Sequence, residues 1–261
     1  PQERIDFRHP APFSLYYNAR DGGVGHKFLM YREYEPNMTR VITVITKATS
    51  KVWNIGANLG YYTVLASKLA SQGSVTAFEP HPNNLAMLRK NADLNALRNV
   101  TIVDAAVSDI TGELSFFESP SNTGDHRIAA DGSRNSIKVK ALAASVAIEN
   151  YGVPEILIMD VQGAEGVILR SLRQTLEVSR PSLVFEFWPE GLSQAGSSAE
   201  EVEELLHGLE YQVWRIDEYR ASLLRVESGR IARGMKKGEE TNLLCLPKGT
   251  KLPPSIAKGW H

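Results

Sequence analysis

The stretch "VWNIGANLGYYTVLASKLASQGSVTAFEP", Val52 to Pro80, decides how the chain is read. An apolar run leads into a glycine-containing turn. Apolar residues then recur at helical spacing, and a second apolar run ends beside an acid. Strand, turn, helix, strand is the unit that sets a nucleotide-like cofactor over a helix N-terminus. The turn from Gly56 to Gly60, "GANLG", lacks the G-x-G-x-x-G spacing of a dinucleotide site. Asn58 stands where a second glycine would let the backbone approach a pyrophosphate, and its side chain would crowd phosphate there. The Gly-Lys-Ser/Thr of a P-loop is also absent. The turn therefore suits an adenosine cofactor without phosphate, with Asn58 supplying the positive φ that a glycine would otherwise take.

The same alternation continues outward. Tyr62, Leu65, Ala66 and Leu69 line one face of a helix. "PNNLAMLRKNADLNAL" predicts a second helix with Pro82 in its first turn, and "NVTIVDAAV" a third strand. "GELSFFE" reads as an antiparallel addition and "SIKVKAL" as a further strand. "PEILIMD" is a buried parallel strand, "GAEGVILRSLRQTL" one helix, and "PSLVFEFWP" a fifth strand. A helix over "SAEEVEELLHGL" and strands over "YQVWRID" and "TNLLCLP" complete the pattern. Alternating β and α segments give a mostly parallel sheet with helices on both faces. Ligands bind such sheets outside the carboxyl ends of the strands. Those ends carry Glu79, Asp104, Asp160 and Glu186. Residues 1–50 read as a leader of short strands or turns and a helix, packed on a main domain over 51–247. Residues 248–261 form a tail.

Composition narrows the possibilities. The 261 residues, 43% hydrophobic and 23% charged, are ordinary for a globular α/β protein. With 29 basic and 30 acidic residues there is no net footprint for nucleic acid, and "ARGMKKG" at 232–238 reads as a solvated loop. No apolar run approaches the roughly 20 residues that span a bilayer. Cys245 is the sole cysteine and sits in an apolar run, which excludes an intramolecular disulfide and favours a buried thiol in a reducing, cytoplasmic setting. The polar stretch "SPSNTGDHRIAADGSRNS", 119–136, reads either as a lid or substrate loop or as plain surface.

An acid at the end of strand two accepts hydrogen bonds from ribose hydroxyls, which assigns that role to Glu79. Asp104 with Ala105 and Ala106 would wall an adenine. "NIGANLGYYT", "AFEPHPNN", "NVTIVDAAVSD", "MDVQGAE" and "FEFWP" occur in this order, and "REYEP" at 32–36 precedes them. The chain resembles the FkbM family of S-adenosylmethionine-dependent methyltransferases over roughly 28–246. The resemblance implies a Rossmann-like class I methyltransferase fold with an antiparallel C-terminal strand. It also implies S-adenosyl-L-methionine as cofactor and a sugar, glycan or polyketide-like metabolite as acceptor. The family's first motif usually begins with an acid that helps hold the cofactor's ammonium; here that position is Asn54.

Cofactor contacts are expected from Asn54, Gly56, Asn58, Gly60, Tyr61, Glu79, Asp104, Ala105, Ala106 and Asp160. Methyl transfer to a hydroxyl needs in-line alignment and a base. Asp160 is expected to be that base or an acceptor-orienting acid, with Glu165, Glu186 and the loop residue His126 as further candidates. Asp160 as a helix cap and Glu165 as a partner of the helix dipole are the competing readings. Trp188 either stacks on a sugar or packs in the core. Asp160 and Glu186 also leave Mg²⁺ open as a ligand of hard oxygens. The alternatives are N-methylation and a cofactor-binding relative without turnover, the latter kept open by Asn54. Nucleic-acid methylation would call for an Asn/Asp-Pro-Pro-aromatic motif or a Pro-Cys pair, and neither is present.

Overall fold

The computed structural model describes residues 2–8, 11–22, 25, 28, 34–117, 136–218, 222–253 and 256. The chain opens on an antiparallel hairpin, β1 (Gln2–Phe7) with β2 (Phe13–Asn18), and reaches helix α1 (Pro36–Ile45). Its first helical turn contains the proline, whose missing N–H has no partner to lose there. The alternating unit follows: β3 (Lys51–Ile55), α2 (Tyr61–Leu69), β4 (Ser74–Phe78), α3 (Pro82–Leu94) and β5 (Val100–Val103). Then come β6 (Ala106–Ser108), β7 (Gly112–Phe117), β8 (Ser136–Ala143) and α4 (Ala144–Tyr151). The second half holds β9 (Ile156–Met159), α5 (Glu165–Ser171), α6 (Arg173–Ser179), β10 (Ser182–Phe187), α7 (Pro189–Gln194) and α8 (Ala199–Gly208). Strands β11 (Tyr211–Asp217), β12 (Ser222–Val226) and β13 (Thr241–Pro247) finish it.

Eight strands form the main sheet in the order β12-β11-β13-β10-β9-β3-β4-β5. Strands β10, β9, β3, β4 and β5 run parallel, and β13 enters antiparallel between β10 and β11. The pleat sorts side chains by parity. Trp53, Ile55, Leu157, Met159, Phe185, Leu243 and Cys245 enter the apolar cluster on one face; Val52, Ile156, Ile158, Val184 and Leu244 enter the cluster on the other. Cys245 is fully buried, and burial raises its thiol pKa far above the ordinary range, so it is a packing residue.

Three sequence expectations change. The stretch 99–107 is not one strand: β6 leaves the main sheet to pair with β8, which also pairs antiparallel with β7. The helix expected over 163–176 breaks at Leu172, whose backbone at φ −88°, ψ 4° ends α5 and starts α6 around a buried side chain. Helix α2 is covered almost all round rather than on one face, with Tyr61 through Ser67 all buried. The hairpin and α1 supply that second cover. Asn91 on α3 and Asn95, its C-cap, hold the hairpin down. Asn91 accepts from Tyr16 N–H at 2.7 Å and donates to the Tyr16 and Leu59 carbonyls. Asn95 pairs in the same way with the N–H and carbonyl of Ser14. The free edge of β2 is thus satisfied by side chains instead of another strand. Strand β12 and helix α7 carry no sequence signal that announced them.

Candidate active site

The carboxyl ends of β3, β4, β5 and β9 lie on one edge of the sheet, where a cleft opens to solvent. Gly56 and Asn58 line it from β3, Phe78 to Pro80 from β4, and Ala105 to Val107 from the break after β5. Asn84, Phe116 and Asp160 to Gln162 complete the wall. Two turns frame this cleft.

The first turn follows β3. Gly56 has φ 78°, and a Cβ there would lie 2.0 Å from the Asp160 carbonyl oxygen, so only glycine lets the two turns meet. Asn58 takes φ 52°, the left-handed conformation expected of it. Its N–H donates to Glu79 Oε2 at 2.7 Å, and the His81 N–H donates to Glu79 Oε1 at 2.9 Å. Glu79 is buried, and burial pushes its pKa up to about 7 against the pull of these hydrogen bonds. It lines the cleft, and a carboxylate has roughly four acceptor sites, so it retains capacity for a ligand. Asn58 Oδ1 is buried and has no hydrogen-bond partner among the described residues. An unsatisfied buried acceptor costs about 1–3 kcal/mol, so Asn58 Oδ1 offers a position for a hydrogen-bond donor in this wall.

The second turn follows β9. Gln162 and Gly163 have φ 53° and 105°, and a Cβ on Gly163 would meet the Gly191 backbone at 2.4 Å. Glu165, fully buried, folds back over this turn: Oε1 accepts from Val161 N–H at 2.8 Å and Oε2 from Gly163 N–H at 2.9 Å. Burial raises its pKa to about 8, opposed by those bonds and reinforced by Asp160. Gln162 Nε2 donates to Asp160 Oδ1 at 2.8 Å and to Glu186 Oε2 at 3.1 Å, bridging the ends of β9 and β10. Glu186 lies within β10 rather than after it, opposite Asn242. Burial first, and then Asp160, Glu165, Glu240 and Glu35, hold its pKa well above the usual carboxylate range. Asp160 does not cap α5, whose N-cap is Ala164.

Of the expected contacts, Gly56, Asn58, Glu79, Ala105, Ala106 and Asp160 line the cleft. Gly60 is the N-cap of α2, and a Cβ there would come within 2.7 Å of Leu88. Three others are turned elsewhere. Asn54 is buried and donates from Nδ2 to Thr63 Oγ1 at 2.9 Å, tying β3 to α2. Tyr61 packs edge-on against Phe7 and Phe13, and its hydroxyl accepts from Thr39, so it belongs to the hairpin side. Asp104 is partly exposed and pairs with Lys140 at 2.9 Å, outside the cleft lining. His126 lies outside the described residues. Trp188 lies against Gly191, where a Cβ would come within 2.1 Å of its ring. The sequence reading left Gln162, Asn84 and Phe116 unassigned. Gln162 sits in the quoted "MDVQGAE"; Phe116 reaches the cleft only because β7 folds over it.

Oxygens of Asp160, Glu165 and Glu186 lie within 4.8 Å of one another. This donor set suits Mg²⁺ poorly. Both Glu165 oxygens already hold backbone N–H groups, and the Gln162 amide donates between the other two acids.

A mostly parallel sheet with two antiparallel strands, β13 and β12, toward one end, and a cleft at the switch between β3 and β9, defines a Rossmann-like class I methyltransferase fold. The methyltransferase FkbM domain model matches residues 54–213, more than half of the chain, and the protein belongs to that family. A curated relative, the hexuronic acid methyltransferase AglP of Haloferax volcanii, is 26% identical over 146 residues. That match covers 55% of this chain and 58% of the relative, so the chain spans little more than half of that protein. Among solved structures, the chain is similar to a methyltransferase FkbM from Methylobacillus flagellatus KT. The TM-score is 0.46 at 16% identity, covering 76% of this chain and 44% of the other. It is also similar to M. jannaschii TYW2 in complex with AdoMet, with a TM-score of 0.46 at 13% identity over 95% and 88% of the two chains.

Proposed function

We propose that the protein transfers a methyl group from S-adenosylmethionine to a hydroxyl of a sugar, glycan or similar polyhydroxylated metabolite. The observation that carries this is the cleft itself. Glu79 and the unpartnered Asn58 Oδ1 stand on one wall and Asp160 on the other, in a chain of a methyltransferase family. The name of the curated relative supports a sugar acceptor.

S-adenosylmethionine, when bound, supplies an electrophilic methyl: its C–S bond breaks as the C–O bond forms, and the electron pair stays on sulfur. The chain's residues do the rest. Glu79 would accept from the ribose hydroxyls, and Ala105 and Ala106 would flank the base. Asn58 Oδ1 would take a donor from the cofactor's amino-acid end. Asn54, bonded to Thr63, supports the turn from behind, so the missing acid falls on the scaffold side of β3. Asp160 takes the acceptor's proton, with its carboxylate oriented by Gln162. No step runs through a metal.

Calorimetry with S-adenosylmethionine and a transfer screen with methyl-labelled cofactor, run with and without chelator, test this. Saturable binding and label on a hydroxylated acceptor are expected in both arms. Absence of binding at millimolar cofactor would overturn the reading, and label on nitrogen would replace O- by N-methylation.

A further inference from the structure

The hairpin of β1 and β2 lies ahead of the matched family domain, yet it reaches the turn after β3 along two routes. The first runs through Asn91, fully buried on α3. Its Oδ1 accepts from Tyr16 N–H at 2.7 Å. Its Nδ2 donates one proton to the Tyr16 carbonyl at 3.0 Å and the other to the Leu59 carbonyl at 2.8 Å. Leu59 stands between Asn58, whose Oδ1 has no partner among the described residues, and Gly60, the N-cap of α2. The second route is direct. Tyr61, one residue past the turn, packs its ring edge-on against Phe7 and Phe13, with centroids 5.1 and 5.4 Å away.

Asn95 makes a matched contrast. It holds the hairpin with the same pair of bonds, accepting from Ser14 N–H at 3.1 Å and donating to the Ser14 carbonyl at 2.7 Å. Its other amide proton stays at the end of α3, on the Asn91 carbonyl at 2.8 Å. Both side chains fix the hairpin, and only Asn91 carries the tie onward to the turn. The turn has a use for such a tie. Asn58 and Gly60 lie at φ 52° and 102°, and the wide conformational range of glycine leaves the peptide between Leu59 and Gly60 free to reorient unless its carbonyl is held. The Asn91 amide, with its oxygen on one N–H and its nitrogen on two carbonyls, has a single orientation that satisfies all three.

We propose, on the methyl-transfer reading of the cleft, that Asn91 is a positioning residue for S-adenosylmethionine, and that the hairpin acts through it and Tyr61 as part of the cofactor site. Asn91 is not among the residues lining the cleft. It acts through the Leu59 carbonyl, which fixes the turn that presents Asn58 Oδ1 and the Asn58 N–H held by Glu79 at 2.7 Å. By linkage, whatever the docked hairpin adds to cofactor affinity, bound cofactor returns to the docking of the hairpin.

S-adenosylhomocysteine is the probe. Calorimetry compares wild type with Asn91→Ala and Asn95→Ala, and melting temperatures are read beside it. Both variants lose hairpin bonds and should melt below wild type. Asn91→Ala should bind the probe about tenfold more weakly, and Asn95→Ala within about twofold of wild type. Hydrogen exchange of wild type reads the reciprocal effect without a variant. Saturating probe should slow exchange over β2 by about threefold or more and leave β12, at the far edge of the main sheet, unchanged. Equal probe affinity in the two variants, whether both weakened or both like wild type, would overturn the role of Asn91. Should Asn91→Ala not fold, exchange decides: an unchanged rate over β2 with probe bound would overturn the coupling. Failure of wild type to bind the probe at all would instead overturn the methyltransferase reading on which the coupling rests.

Discussion

The turns after β3 and after β9 use one device for two purposes. Each contains residues at positive φ, and in each a buried glutamate accepts two backbone N–H groups. Glu79 holds Asn58 and His81; Glu165 holds Val161 and Gly163. The difference lies in where the glutamate comes from. Glu79 arrives from the neighbouring strand and also lines the cleft, whereas Glu165 belongs to the helix its own turn begins and is not among the residues lining the cleft. A clamp from the next strand keeps part of its carboxylate available to a ligand. A clamp from within the turn is enclosed by it.

That contrast can be broken experimentally. The largest expected effect falls on the residue between the two clamps: Asp160→Asn should lower kcat at least about 100-fold, the scale of lost general-base catalysis, with cofactor affinity unchanged. Label transfer and calorimetry read the two separately, and an unchanged kcat would remove Asp160 from the chemistry. Glu165→Ala should cost about 2–3 kcal/mol of stability in denaturant melts, since it strands two buried donors, while cofactor affinity stays near wild type.

Glu165 also predicts a pH effect. Its folded pKa, about 8, lies above its ordinary 4.5, so the native state binds more protons between these values. Its contribution to stability is present below about 4.5 and is lost as pH rises through about 8. The stability deficit of Glu165→Ala should therefore be larger at pH 5 than at pH 9, and melting temperatures across that range check it.

Glu79→Ala also strands two backbone donors, so a stability loss of similar size is expected, but it should in addition lower cofactor affinity by about 2 kcal/mol, roughly thirtyfold. Wild-type affinity should rise with pH through about 7 as Glu79 ionises, and calorimetry should find that rise absent in Glu79→Gln. The smallest effect belongs to Asn58→Gly. Glycine keeps the positive φ, so stability should move by less than about 0.5 kcal/mol. Loss of Oδ1 should weaken the cofactor severalfold, about 1 kcal/mol. If Glu165→Ala weakened the cofactor as much as Glu79→Ala, the distinction between the two clamps would fail.

The two turns were differently legible. In "NIGANLG" the glycines and Asn58 are local statements about backbone conformation, and the structure places all three at positive φ. Acids at strand ends are equally local, because the pleat and the direction of the strands put those positions on one edge. What a side chain does once there is not local. Asp104 meets Lys140, which arrives from β8, 36 positions away. Tyr61 turns into an aromatic cluster because the hairpin covers α2 on a side its periodicity marked as open. The first N–H groups of α1, on Asn37 and Met38, donate to Glu218, some 180 positions along the chain.

The alternation of strands and helices from β3 onward and the left-handed backbone of the turn after β3 were therefore written in the chain itself, since each depends on neighbours a few residues apart. The division of the acids into a cleft wall, a turn clamp and a surface pair came only with tertiary packing. Desolvation and the direction of distant N–H groups decide whether a carboxylate is left for a ligand, and both depend on segments tens of residues away.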